Sequence, residues 1–138
     1  NVTLKKDRDY TVSYSANKGI GTAKVTVTGK GSYTGKITKT FKINPQGQSI
    51  SAKGDKSGKK IAVTLAKHST NSGYQVSYAD NSGFKKSKSL WLSGNSKNKG
   101  TIKGLKSKKT YYVKARDYKT IGKTKVYGKW SAVKKVSI

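Results

Sequence analysis

The segment Lys109-Thr110-Tyr111-Tyr112-Val113-Lys114-Ala115-Arg116 decides the fold class. Tyr111, Val113 and Ala115 share one parity and Tyr112, Lys114 and Arg116 the other. An extended chain therefore buries the first set and presents the second to water. The same period of two recurs outward from it. Tyr74, Val76 and Tyr78 alternate with Gln75 and Ser77, and Ile61, Val63 and Leu65 with Ala62, Thr64 and Ala66. Leu90-Trp91-Leu92 forms a short run, Thr101-Ile102 leads to Leu105, and Val126, Tyr127 and Trp130 lead to Val133, Val136 and Ile138. About seven short strands separated by Gly, Ser, Asn and Lys turns predict a small β-sandwich over 49–138. No stretch has a 3.6-residue period, so the chain as a whole is expected to be all-β.

Further toward the N-terminus the alternation continues. Tyr10, Val12 and Tyr14 alternate with Thr11, Ser13 and Ser15, and Ala23, Val25 and Val27 with Thr22, Lys24, Thr26 and Thr28. Ile37, Phe41 and Ile43 share a parity with Lys39. Between these runs lie Asn17-Lys18-Gly19 and the glycine-rich stretch from Gly29 to Gly35, both turn-forming. Residues 1–43 are read as a short leading strand followed by a three-strand antiparallel meander. Such a meander exposes one apolar face and needs a partner: the other module, another chain or further sequence. Asn44-Pro45-Gln46-Gly47-Gln48 contains the only proline, which cannot continue a ladder. The expected organisation is a first module at 1–44, a linker at 45–48 and a second module at 49–138.

Two family resemblances rest on these segments. Residues 49–138 resemble a fibronectin type III domain of the lysine-rich form found in surface proteins of Gram-positive anaerobes. The matching stretches are Gly73-Tyr74-Gln75-Val76-Ser77-Tyr78, Phe84-Lys85-Lys86 after its turn, Ile102-Lys103-Gly104-Leu105, Lys109 through Arg116, and Tyr127-Gly128-Lys129-Trp130-Ser131. Leu105 followed six residues later by Tyr111 matches the family's tyrosine corner. Leu65 stands where the family usually has a strand-B tryptophan, so the core is expected to centre on Trp91 or Trp130. Residues 1–43 resemble the second half of a bacterial immunoglobulin-like repeat, through Asp9-Tyr10-Thr11-Val12-Ser13-Tyr14, Gly21-Thr22-Ala23-Lys24-Val25-Thr26-Val27 and Thr40-Phe41-Lys42-Ile43. A complete repeat is about twice as long, so this one reads as truncated. The resemblances imply a spacer or adhesion module in a secreted or cell-wall-attached protein, without catalytic residues. The chain starts in mid-pattern with Asn1-Val2-Thr3 and no initiator methionine, which reads as a piece of a longer protein.

Composition narrows the chemistry. The 138 residues include no cysteine, which excludes disulfides, thiolate metal sites and cysteine nucleophiles. One histidine, His68, leaves no multi-histidine metal site. It lies in a polar loop after a predicted strand, without a nucleophile-elbow sequence, and is read as solvated. No apolar run approaches the roughly 18 residues of a membrane span. The five carboxylates, Asp7, Asp9, Asp55, Asp80 and Asp117, are scattered over turns and strand ends. Asp7 and Asp9 read as turn-formers beside Lys5, Lys6 and Arg8 and not as a catalytic pair. Gly19-Ile20-Gly21 and Gly29-Lys30-Gly31 lie between strands, where no helix N-terminus exists to cradle a phosphate. The expectation is a non-enzyme without cofactor or metal.

Charge is the feature that calls for a function. There are 31 basic residues, all lysine except Arg8 and Arg116, against five aspartates and no glutamate, for a formal net charge of +26. Residues 1–44 hold nine basic and two acidic residues; 45–138 hold twenty-two and three. Self-repulsion on this scale opposes compactness and needs a reason to be kept. One reason is solvation of every outward strand position; the other is attraction to a polyanion through counterion release. Lysine supplies point charges without arginine's bidentate fork, which suits diffuse anion contact over base reading. The expected partners are an anionic polysaccharide or wall polymer: cell-wall teichoic acid, glycosaminoglycan or mucin glycan. The expected contact residues are Lys114, Arg116, Tyr118, Lys119, Lys123, Lys125 and Tyr127, with Tyr118 facing outward. The alternative is a specific host protein, bound by the sandwich loops or by strand addition to an open edge. Sequence-specific nucleic acid is disfavoured, and residues 1–43 are open to a strand-complemented dimer.

Overall fold

The computed structural model describes residues 2–138, among which eleven β-strands and no helix are found. The chain divides into two compact units, 1–44 and 45–138.

The first unit is a three-stranded antiparallel sheet of β1 (Tyr10–Ser15), β2 (Gly21–Gly29) and β3 (Lys36–Ile43), in that order. The pairs Val12↔Val27 and Val27↔Ile37 put like with like, as do Tyr14↔Val25 and Ala23↔Phe41. One face therefore carries Tyr10, Val12, Tyr14, Ala23, Val25, Val27, Ile37 and Phe41, with Lys39 its one charge. The other face is threonine, serine and lysine. Tyr14 and Ile37 remain 59% and 63% exposed, so the apolar face is largely open. The expected leading strand is not formed. Residues 2–5 lie outside any strand, and only a single bridge, Lys6↔Tyr10, is made ahead of β1. The cause is Asp9, whose carboxylate accepts from the Lys5 backbone N–H at 2.8 Å and whose own N–H donates to the Lys5 carbonyl. That local turn uses the backbone groups a ladder would need.

The second unit is a sandwich. The smaller sheet comprises β4 (Ile50–Asp55), β5 (Lys60–Leu65) and β8 (Lys99–Ile102). The larger runs β10 (Thr124–Tyr127), β9 (Thr110–Ile121), β6 (Gly73–Ala79), β7 (Lys88–Ser93), with β11 (Lys134–Ser137) also paired to β9. Inward-facing Ile61, Val63 and Leu65 meet Tyr74, Val76, Tyr111, Val113 and Ala115 in one core. The core does not centre on a tryptophan. Tyr74 is its largest fully buried side chain, while Trp91 is 43% exposed because its neighbours Leu90 and Leu92 take the inward positions. The tyrosine corner is formed: the Lys106 N–H donates to the Tyr111 hydroxyl at 2.9 Å.

Two boundaries differ from expectation. β4 raises the strand count of this unit to eight; only Ile50 and Ala52 give it apolar character. Gly54 weakens the pattern further, yet a Cβ there would lie 2.8 Å from Val136 Cγ1, so close approach of the neighbouring chain excludes a larger residue. Residues 45–48 are not a free linker, since Pro45 and Gln48 are buried in the second unit. The Gln48 amide donates to the Ala66 carbonyl, and its side-chain oxygen accepts from the Ser49 and Ala66 N–H groups.

Candidate functional site

The outer face of the larger sheet collects most of the expected site residues. Register fixes which ones. Gly73, Gln75 and Ser77 of β6 lie beside Tyr118, Arg116 and Lys114 of β9, and Gln75 lies beside Trp91 of β7. Tyr127 pairs with Tyr118 and Lys125 with Thr120. Lys114, Arg116, Tyr118, Lys125 and Tyr127 thus share one face. Lys119 does not join them: it pairs with Val126 on the opposite side of the hairpin, and Lys123 occupies the turn after Gly122. The separation follows from alternation, since residues 118 and 119 cannot face the same way in one strand.

Two aromatic–cation groups occupy this face. In the first, Lys114 Nζ stands 4.1 Å from the Phe84 ring centroid and 4.8 Å from that of Trp130. Arg116 Cζ stands 4.3 Å from the Trp130 centroid and 3.7 Å from that of Tyr127. The result is a ladder, Phe84–Lys114–Trp130–Arg116–Tyr127, in which each cation lies between two rings. Two of its rings, Phe84 and Trp130, are pinned by hydrogen bonds to the neighbouring backbone. Asn81 binds both the N–H and the carbonyl of Lys85, holding Phe84 at a left-handed φ of 54°. Ser131 N–H donates to the Ala115 carbonyl and Ser131 Oγ accepts from the Ala115 N–H, which lays Trp130 across β9. Arg116 Nε donates to Gln75 Oε1 at 2.8 Å. Burial holds the Arg116 guanidinium below its ordinary pKa.

In the second group Trp91 meets Tyr118 edge to face, centroids 5.4 Å apart at 75°. Lys125 Nζ lies 5.8 Å from both rings. Tyr118, expected to face outward, is on the outer face but only 5% exposed. Glycine at 73 is the reason. A Cβ there would collide with the Leu92 carbonyl oxygen of β7 and would sit 2.8 Å from the Tyr118 hydroxyl and 3.0 Å from its ring, so glycine both admits the close approach of β7 and lets the ring lie across β6 toward Trp91. The φ of 153° at Gly73 also favours glycine. Trp91, Phe84 and Trp130 were not among the expected contact residues. The parity of Trp91 against Leu90 and Leu92 was the signal that places it outside.

Charge pairing is uneven. Among the described residues Lys6, Arg8, Lys60 and Lys109 pair with Asp7, Asp9, Asp55 and Asp80, at 3.6, 2.7, 3.5 and 2.8 Å. The fifth carboxylate, Asp117, is fully buried beneath the outer face. Its Oδ2 accepts from His68 Nδ1 and its Oδ1 from Gln48 Nε2, both at 2.6 Å. His68 is therefore not a solvated loop residue: its side chain is 17% exposed and joins its loop to β9. With one carboxylate oxygen held by Gln48, the pair serves as a tie between the His68 loop, the segment that leads into β4, and β9. Among the described residues no group of three or more His, Asp or Glu side chains is placed to hold a metal ion. No helix of the described chain is long and apolar enough to cross a membrane.

No family model matches the chain, and no curated protein matches it. Solved structures do. One is the crystal structure of the FN1–FN3 domains of chicken CNTN1, at a TM-score of 0.57 and 17% identity. The match covers 87% of this chain and 43% of that one. At this identity the likeness concerns the fold: an all-β chain like fibronectin type III domains.

Proposed function

We propose that the chain is a non-catalytic spacer and adhesion module of a secreted or cell-wall-attached protein of a Gram-positive bacterium. Its lysine-rich surface contacts anionic polymers such as teichoic acid, glycosaminoglycan or mucin glycan. One observation carries this reading. Four of the five aspartates pair with a basic side chain and the fifth lies in the interior, which leaves most of the lysines among the described residues without a carboxylate partner. Such a surface gains affinity from released counterions. The test is binding to heparin, teichoic acid and duplex DNA at 50 and 200 mM salt. Binding to all three that falls steeply, by on the order of a hundredfold or more, fits counterion release. No binding at the lower salt overturns the reading.

A second reading, a module for a specific host protein, draws on the first unit. Its sheet has two open edges and an open apolar face, which suit strand addition or pairing with a second copy. An interface with an apolar centre persists at 200 mM salt, where polyanion contact fades.

A further inference from the structure

The two aromatic–cation groups differ in how much of each remains available. In the ladder each cation already lies within cation–π range of two rings, and Arg116 Nε is spent on Gln75. That group is closed. Around Trp91 the arrangement is open. The indole is 43% exposed, and its one ring contact among the described residues is the edge-to-face approach of Tyr118. Lys125, itself exposed, stands at the outer limit of cation–π reach, with no carboxylate partner among the described residues.

The neighbours of Trp91 add a chemical signature. Ser89 and Ser93, two residues to either side, lie on the same face of β7. Gln75, beside Trp91 in register, donates to Ser89 Oγ at 3.0 Å. A flat electron-rich ring flanked by hydroxyls that both donate and accept suits a pyranose, whose C–H face covers the indole while its hydroxyls meet the serines. β7 is the last strand of its sheet. Lys125 adds one point charge beside one stacking platform.

Resting on the polyanion reading above, we infer that Trp91 and Lys125 form a subsite for one acidic sugar, and that the preferred polymer is an acidic polysaccharide. Trp91 stacks on the sugar ring and Lys125 meets its carboxylate or sulfate. A polyphosphate chain engages the lysines but leaves Trp91 unused. A single-stranded nucleic acid would stack on Trp91 too, but one open indole offers no row of platforms for successive bases.

The experiment measures binding of hyaluronate oligosaccharide, inorganic polyphosphate and oligo-dT to the full chain by calorimetry at 50 and 150 mM salt. Trp91→Ala, Trp91→Phe, Lys125→Gln and a control, Lys53→Gln on β4, are compared with the parent, and guanidinium midpoints verify that each is folded. The expected result is hyaluronate binding weakened about tenfold by Trp91→Ala and restored in part by Trp91→Phe, with polyphosphate indifferent to both. Lys125→Gln weakens hyaluronate more than Lys53→Gln does. Hyaluronate affinity that ignores Trp91, or oligo-dT binding with the greater dependence on it, overturns the inference. If all three polymers bind the parent alike at 50 mM salt regardless of Trp91, this subsite fails while the polyanion reading stands. If none binds the parent, both fail.

Discussion

Replacing Asp117 by alanine tests the reading of the buried tie. Asp117 is fully buried, so its carboxylate was desolvated at a cost that only its partners offset. The partners are His68 Nδ1 and Gln48 Nε2, each at 2.6 Å, short enough for charge-assisted bonds. Hydrogen bonds to a charged group contribute about 1.5–3 kcal/mol each. Removing the acceptor also strands a half-buried imidazole and one amide hydrogen of Gln48. Breaking a buried pair in this way costs about 3–5 kcal/mol. A unit of this size is stable by roughly 5–14 kcal/mol, so the loss is a large part of the whole. Guanidinium unfolding followed by tryptophan fluorescence, with Asp117→Asn beside Asp117→Ala, measures it. The alanine variant is expected to lose at least about 3 kcal/mol and the asparagine variant, which retains an acceptor for Gln48, less. A loss below about 1 kcal/mol in Asp117→Ala would show that desolvation cancels the bonds and would refute the reasoning.

Gly73→Ala drives a methyl into the Leu92 carbonyl oxygen and the Tyr118 ring at a backbone conformation that suits glycine; it should cost at least about 2 kcal/mol and red-shift Trp91 emission as Tyr118 leaves the ring. Arg116→Lys removes the planar stack between Trp130 and Tyr127 and the Nε bond to Gln75, lowering stability by about 1 kcal/mol in the same titration. The bond from Lys109 holds Asp80 below the ordinary carboxylate pKa, and the bond from the Gly58 N–H does the same for Asp55. Because their folded values are depressed, the stability they add is present above the ordinary value and is lost as pH falls through the folded one. Melts from pH 6 to pH 2 should therefore show Asp80→Asn and Asp55→Asn converging on the parent at the acid end. Light scattering of the full chain should show self-association that strengthens with salt, and Ile37→Lys on the open face should suppress it.

Strand alternation is a local signal, and where it is strong the sequence was sufficient. β9, β6 and β5 lie where Tyr111-Val113-Ala115, Tyr74-Val76 and Ile61-Val63-Leu65 place them. The Leu105–Tyr111 spacing reads the tyrosine corner because both ends of that contact sit in one short segment. β4 was missed because Gly54 interrupts its apolar parity, and the reason for that glycine is Val136, distant in sequence. The leading strand failed for the opposite reason: a local carboxylate turn at Asp9 outcompeted a ladder. At the candidate site, period two separates Lys114, Arg116 and Lys125 from Lys119 once the hairpin register is known. Its turn, however, could not be located from Gly122 alone. The burial of Tyr118 depends on a glycine one strand away, and the His68–Asp117 bond joins residues 49 apart. Neither leaves a mark within a window of neighbours.

The most direct test of the account is the set of amide and indole N–H resonances that move when hyaluronate oligosaccharide is added to the labelled full chain at 150 mM salt. The account predicts shifts concentrated on β7, β9 and β10, led by the Trp91 indole and by Lys125, with β4, β5 and β8 unmoved. Shifts spread evenly over the lysines of both sheets, or centred on the smaller sheet, would contradict it.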